Sequence, residues 1–229
     1  MKITLCSILF EEPEQGKDAL FGKYMFDYQR NDIKKNNKEE PTLEEEEAFE
    51  ALARYASFND KSDLSKIAPS LFSLKQKNMY SAMLDPFKGD RINVYRLLFL
   101  DAETGKSTFN IDLSKPTGKL PAGVIEPTMN SEIQGWTTDP SMFPTIIKTE
   151  SSERKPVYVI LKASLKKNNN FFGNPNRLVG TADEDFKHEK ETFSIGSVKY
   201  DKGIYFIADP NKPDEIKSKL LLAILEIKK

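Results

Sequence analysis

The sequence predicts an α+β chain, with an N-terminal strand and a helical segment over about residues 42–84 packed with a C-terminal antiparallel-rich sheet, sandwich or partial barrel. Two textures carry that expectation. Before residue 90 the clearest pattern is TLEEEEAFEALARYASF, an amphipathic helix with a start signal in front of it. After Arg91 the chain breaks into short runs rich in β-branched and aromatic residues, separated by Pro, Gly, Asn and Asp. A length of 229 residues is enough to bury a core without metal or disulfide staples. No flexible linker divides the chain, so it reads as one domain over 1–229, with a sub-division at about residue 90 into a strand-plus-helix part and a β-rich part.

The elements follow in order. MKITLCSIL is too short for a membrane span and lacks a small-residue cleavage site, so it reads as a buried strand with Cys6 as an interior thiol. The aromatic patch from Leu20 to Tyr28 fits neither helical nor strand period, and NDIKKNNKEEP reads as an exposed loop. A helix is then expected from about Leu43 to Ser57. Thr42 and Glu45 have the spacing at which hydroxyl and carboxylate each satisfy a free backbone N–H, and Phe49, Leu52, Ala53 and Ala56 share one face. The four consecutive Glu residues suit the positive end of the helix dipole. A second helical zone from Asp63 to Leu84 carries an apolar stripe through Leu71, Leu74 and Met83, with an interruption expected at Pro69.

The later runs INVYRLLFL, STFNIDL, PTIIKTE, KPVYVILKAS, TFSIGSVKY, GIYFIAD and LLLAILEIK read as strands. Two hairpins are expected, PTIIKTE with PVYVILKAS and IGSVKY with GIYFIA across Asp201 and Lys202. Long loops are expected over 114–144 and 166–191.

Net charge is −1, so no global field gathers nucleic acid or an anionic membrane, and such contacts would need a local patch. One Cys and one His leave His/Cys metal sites and Cys–His nucleophile pairs without material, and His188 lies in the polar stretch DEDFKHEKE. The single cysteine and the absence of an N-x-[ST] sequon favour the cytoplasm. GKST at 105–108 spells the end of a phosphate-binding loop. Its wrapping glycine would be at position 100, which is Leu, and TFNIDL after it alternates like a strand. A hairpin turn over Glu103 to Lys106, with Gly105 at positive φ, accounts for the same letters. Asp101 and Asp209 end apolar runs, where carboxylates serve either chemistry or turns.

KPDEIKSKLLLAILEIKK contains Pro213, Asp214, Glu226 and Lys228, and so resembles the PD-(D/E)xK signature of metal-dependent nucleases over about its last eighteen residues. That resemblance implies Asp214 and Glu226 as Mg²⁺ ligands and Lys228 as the residue that orients the attacking water. A third reading rests on KASLKKNNNFFGNPNR. There Lys162, Lys166, Lys167 and Arg177 would neutralise phosphates while Phe171 or Phe172 stacks on a base. Trp136, the lone tryptophan, is the candidate anchor for a protein partner. The leading expectation is a non-catalytic interaction or accessory module without a cofactor, which binds another protein through its long loops. The Mg²⁺-dependent nuclease and the nucleic-acid binder are its alternatives, and no membrane association is expected.

Overall fold

The computed structural model describes residues 41–58, 64–76, 89–127, 133–149, 156–166, 170–173 and 191–229. The expected strand around Cys6, the aromatic patch at 20–28, and Lys167, Arg177 and His188 lie outside these residues.

The chain forms two compact units whose segments alternate along the sequence. The described parts of the first lie within residues 41–87, 127–134 and 168–196. Its helix α1, Leu43–Phe58, starts with the expected reciprocal cap: Thr42 N–H donates to Glu45 Oε2 at 2.9 Å, and Glu45 N–H donates to Thr42 Oγ1 at 3.3 Å. Glu45 is buried and also accepts from Ser73 Oγ at 2.6 Å, so one carboxylate both closes the helix start and ties it to helix α2, Leu64–Gln76. Helix α2 runs through Pro69 where a break was expected. The proline removes the N–H that would bond the Ser65 carbonyl, and burial of Ile67, Ala68, Leu71 and Leu74 offsets that loss.

The second unit comprises Lys88–Glu126, Gly135–Lys167 and Ser197–Lys229. In chain order the remaining elements of the two units together are β1 (Arg91–Leu100), α3 (Ala102–Phe109), β2 (Thr117–Leu120), β3 (Gly123–Ile125) and β4 (Ile133–Thr137). A 3-10 turn (Pro140–Met142) leads into α4 (Phe143–Thr149) and β5 (Val157–Lys166). Then come β6 (Phe171–Gly173), β7 (Glu191–Ile195), β8 (Val198–Tyr200), β9 (Lys202–Ile207) and α5 (Pro213–Lys228). Seven strands form an open antiparallel sheet in the order β2-β9-β5-β1-β4-β7-β6, and β3 pairs with β8 apart from it. The α+β class is therefore as expected, with a sheet that does not close into a barrel.

Strand β5 is the spine of the second unit. It pairs with β1 along ten residues, from Arg91↔Lys166 to Leu100↔Val157, and with β9 on its other edge. Val157 through Leu161 are buried without a break, as in a strand covered on both faces. Tyr158 and Ile160 join Ile204, Phe206 and the inner face of α5 (Ile216, Leu220, Ala223, Ile224, Ile227) in one apolar cluster. Tyr158 stacks on Phe206 with ring centroids 4.8 Å apart and takes Phe99 edge-on at 5.7 Å.

Five expectations about these segments are overturned. STFNIDL is not a strand: Asp101 Oδ1 accepts the Thr104 N–H at 2.7 Å, and this cap starts α3, which ends at Asn110 in the left-handed conformation (φ 52°). Gly105 lies inside that helix, where a side chain would press against Val157, so its reason is close packing rather than positive φ. PTIIKTE forms most of α4, which leaves β5 to pair with β1 and β9 instead of a hairpin partner. β8 and β9 are adjacent in sequence but pair in different sheets, because Asp201 turns its N–H onto the Lys162 carbonyl at 2.8 Å. LLLAILEIK is helix α5. Pro213 in the first turn, acidic Asp214 and Glu215, and burial every third or fourth residue select it over a strand.

The expected loop over 114–144 holds β2, β3, β4 and the 3-10 turn. TGK at 117–119 is an edge strand, with Tyr205 lying over Gly118 across the pair.

Candidate functional site

The aromatic anchors expected from the sequence are core. Trp136 on β4 is 2% exposed, with the Arg96 guanidinium 5.9 Å from its ring centroid. Phe171 and Phe172 on β6 are equally buried, and Phe172 meets the Phe72 ring at 5.7 Å. As neighbours on one strand the two rings point to opposite faces of it, and both are buried, away from any base that would stack on them. Of the accompanying cations, Lys166 is exposed at the end of β5. Lys162 is half-buried with its ammonium 5.9 Å from the Tyr95 ring centroid. Burial, and then Lys202 opposite it, hold its pKa below the ordinary lysine value against the pull of Asp201.

Asp214, Glu226 and Lys228 are not assembled either. Asp214 and Glu226 sit at opposite ends of the same helix, about 18 Å apart at 1.5 Å per residue, whereas carboxylates sharing one cation lie within about 2.0–2.6 Å of it. Lys228 and Glu226 have other partners. Lys228 Nζ is 3.7 Å from Asp139 Oδ1. Glu226 accepts from Lys119 Nζ at 2.8 Å and from Lys229 Nζ at 2.9 Å. Among the described residues no three His, Cys, Asp or Glu side chains are grouped to hold a metal.

The Lys119 bond, followed by that of Lys229, lowers the Glu226 pKa to about 2. A depressed carboxyl pKa means stability present above the ordinary value near 4.5 and lost as pH falls through about 2. Carboxyl-detected NMR titration is expected to place the Glu226 midpoint near 2, and Lys119→Ala to move it upward. An ordinary midpoint in the unsubstituted chain would contradict the bonding.

Asp101 and Asp209 are turn formers. Asp101 caps α3 through Thr104 N–H and accepts from Thr104 Oγ1 at 2.8 Å, so a carboxylate already stands at the helix start where a phosphate would be held. Asp209 accepts the Asn211 N–H at 2.9 Å. An open cleft of about 270 Å³ beside β2 is lined by Asn110, Asp112, Lys115, Lys119 and Tyr205, among others. Its carboxylate is engaged: hydrogen bonds from Ser114, and then Lys115, hold Asp112 below the usual carboxylate range.

The surface that does stand out is the outer face of α5. Leu221, Leu222 and Leu225 are 46%, 68% and 63% exposed, whereas Leu220 and Ile227 on the opposite face are fully buried. At 100° per residue the three leucines fall within one arc, continued by Asp214 and Ser218 towards the helix start and by Lys228 and Lys229 towards its end. Sequence reasoning missed this face because it read the run as a strand. The signal was available in eight helical residues, LLLAILEI, whose apolar positions outnumber one buried stripe.

No helix among the described residues is long and apolar enough to cross a membrane. No protein-family model, curated protein or solved structure matches the chain.

Proposed function

We propose that the chain is a non-catalytic protein-interaction module, working in the cytoplasm, whose contact surface is the outer face of α5. One observation carries this reading: Leu221, Leu222 and Leu225 are exposed side by side on a helix whose opposite face is anchored in the core. Isolated exposed leucines are ordinary on protein surfaces, but contiguous ones rimmed by charge are the pattern of a helix that lies against another protein. The rim is supplied here by Asp214, Lys217, Lys228 and Lys229. Rigidity supports the reading as well. Five buried residues fix the helix on β5 and β9, so little ordering would be lost on contact.

The sequence placed the contact in long loops anchored by Trp136, and the proposal moves it to α5 because Trp136 is in the core. The test compares the unsubstituted chain with Leu222→Glu and with Leu113→Glu, a control at another exposed leucine. Binding of a protein partner, its own copy included, is expected to fall at least tenfold for Leu222→Glu and to persist for Leu113→Glu, since a desolvated charge at a contact costs more than about 1.4 kcal/mol. Equal binding by all three would contradict the assignment.

A further inference from the structure

We infer that one end of the sheet face that α5 covers binds the phosphodiester backbone of a nucleic acid, through Arg91, Lys162, Lys166 and Lys202. The inference is independent of the outer leucines of α5. Residues opposite one another in an antiparallel pair point to the same side of the sheet, as do alternate residues along each strand. Arg91↔Lys166, Asn93↔Ser164 and Tyr95↔Lys162 are opposite one another in β1 and β5, and Lys162↔Lys202 in β5 and β9. The same alternation leads on to Leu97, Ile160 and Ile204, which belong to the apolar cluster under α5. All four cations therefore lie on the α5 side of the sheet, at the end where the apolar residues stop. Arg91, Asn93 and Lys166 are exposed there, and Lys162, Ser164 and Lys202 are half-buried.

This strip holds positive charge without a matching acid. Strands β1, β5 and β9 contain no Asp or Glu. Among the described residues none of the four cations is in an ion pair. Of the carboxylates beside it, Asp201 accepts the Ser164 N–H at 2.5 Å and Asp139 lies 3.7 Å from Lys228 Nζ. Lys162 and Lys202 stand directly opposite, an arrangement that destabilises a sheet by like-charge repulsion. The lowered pKa of Lys162, caused by burial and then by Lys202 against the pull of Asp201, reflects the same crowding. An anion over the pair relieves it.

The chemistry of the strip selects its occupant. A protein contact is centred on desolvated apolar side chains and a membrane-surface contact on inserted ones, and the strip exposes neither. Phosphate oxygens take Lys, Arg, Asn and Ser donors, which is the set present. Lys162 and Lys166 are about 13 Å apart along β5, and adjacent strands are about 5 Å apart, so the cations form a row that follows a chain of phosphates. Bases are not read, since the Tyr95 ring beside Lys162 is buried. With a net charge of −1 on the chain, the attraction is local to this strip.

Fluorescence anisotropy of the full chain with a labelled thymidine oligonucleotide, over a range of salt concentrations, tests this. Four neutralised phosphates predict a slope of log affinity against log salt of about −2.8, a loss of about 50-fold between about 50 and about 200 mM. Lys166→Ala and Lys202→Ala are each expected to lower affinity about eight-fold at about 50 mM and to flatten the slope by about 0.7. Lys115→Ala, an exposed lysine beyond the opposite end of β9, is expected to change neither. Urea unfolding checks that each variant is folded. A labelled duplex of mixed sequence forms a second arm, with an expected slope of about −3.6, and the tighter of the two forms names the source of the backbone.

Absence of binding to both forms at about 50 mM salt, a slope that Lys166→Ala and Lys202→Ala leave unchanged, or an equal loss in Lys115→Ala would overturn the inference. So would a poly-glutamate peptide or phosphatidylserine vesicles bound as tightly as the oligonucleotide, because the occupant would then be another anion. In each case the assignment of the α5 surface would stand, since Leu222→Glu tests it separately.

Discussion

Leu220→Ala is expected to destabilise the fold by about 2–5 kcal/mol, whereas Leu222→Ala, two residues further on, is expected to change stability by less than about 0.5 kcal/mol. The two leucines belong to the same helix and run of sequence. Leu220 is fully buried against the sheet with Ile216, Ala223, Ile224 and Ile227, so truncation removes its contacts and leaves a cavity that the stacked Tyr158 and Phe206 rings cannot readily fill. Leu222 is 68% exposed and has little to lose. Urea unfolding of both variants measures the difference. Equal losses would mean that α5 does not present the two faces described.

Phe172→Ala is expected to cost about 3–5 kcal/mol. Its ring is fully buried on β6, paired with Phe193 across β7 and in contact with Phe72 of α2, so its loss opens a large void in the first unit. The same substitution separates two roles. A residue that stacks on a base would lower single-strand binding and leave the unfolding midpoint in place, whereas a core residue lowers the midpoint. Urea unfolding beside a salt-dependent single-strand binding assay distinguishes them, and an unchanged midpoint would contradict the core placement.

Local chemistry was the most legible part of the sequence. Thr42 and Glu45 announced α1 because a capping box needs only residues three apart, and β1, β5 and β9 were visible as β-branched and aromatic runs bounded by turn residues. What sequence spacing could not supply was the partner. Glu45 looked like one of four solvated acids, and only the approach of Ser73 from α2 makes it a buried link. Phe171 and Phe172 looked available because lysines and asparagines surround them, yet pairing with β7 places them in the core.

Two misread segments share one cause. Short apolar runs fit strand and helix alike, and the deciding residues lie just ahead of them: Asp101 before α3, and Pro213 with Asp214 and Glu215 before α5. Reading α5 as a strand also created the apparent nuclease site, since alternation put Glu226 and Lys228 on one side of it. In a helix, residues two apart diverge by about 200°.

The central claim is that the outer leucines of α5 touch another protein chain. A photo-reactive amino acid installed at position 222, and separately at the exposed control position 113, tests it directly in the native host. The expected result is a discrete cross-linked protein adduct from 222, with the chain itself or with a partner, and none of that kind from 113. Adducts absent at 222, or the same at both positions, would contradict it.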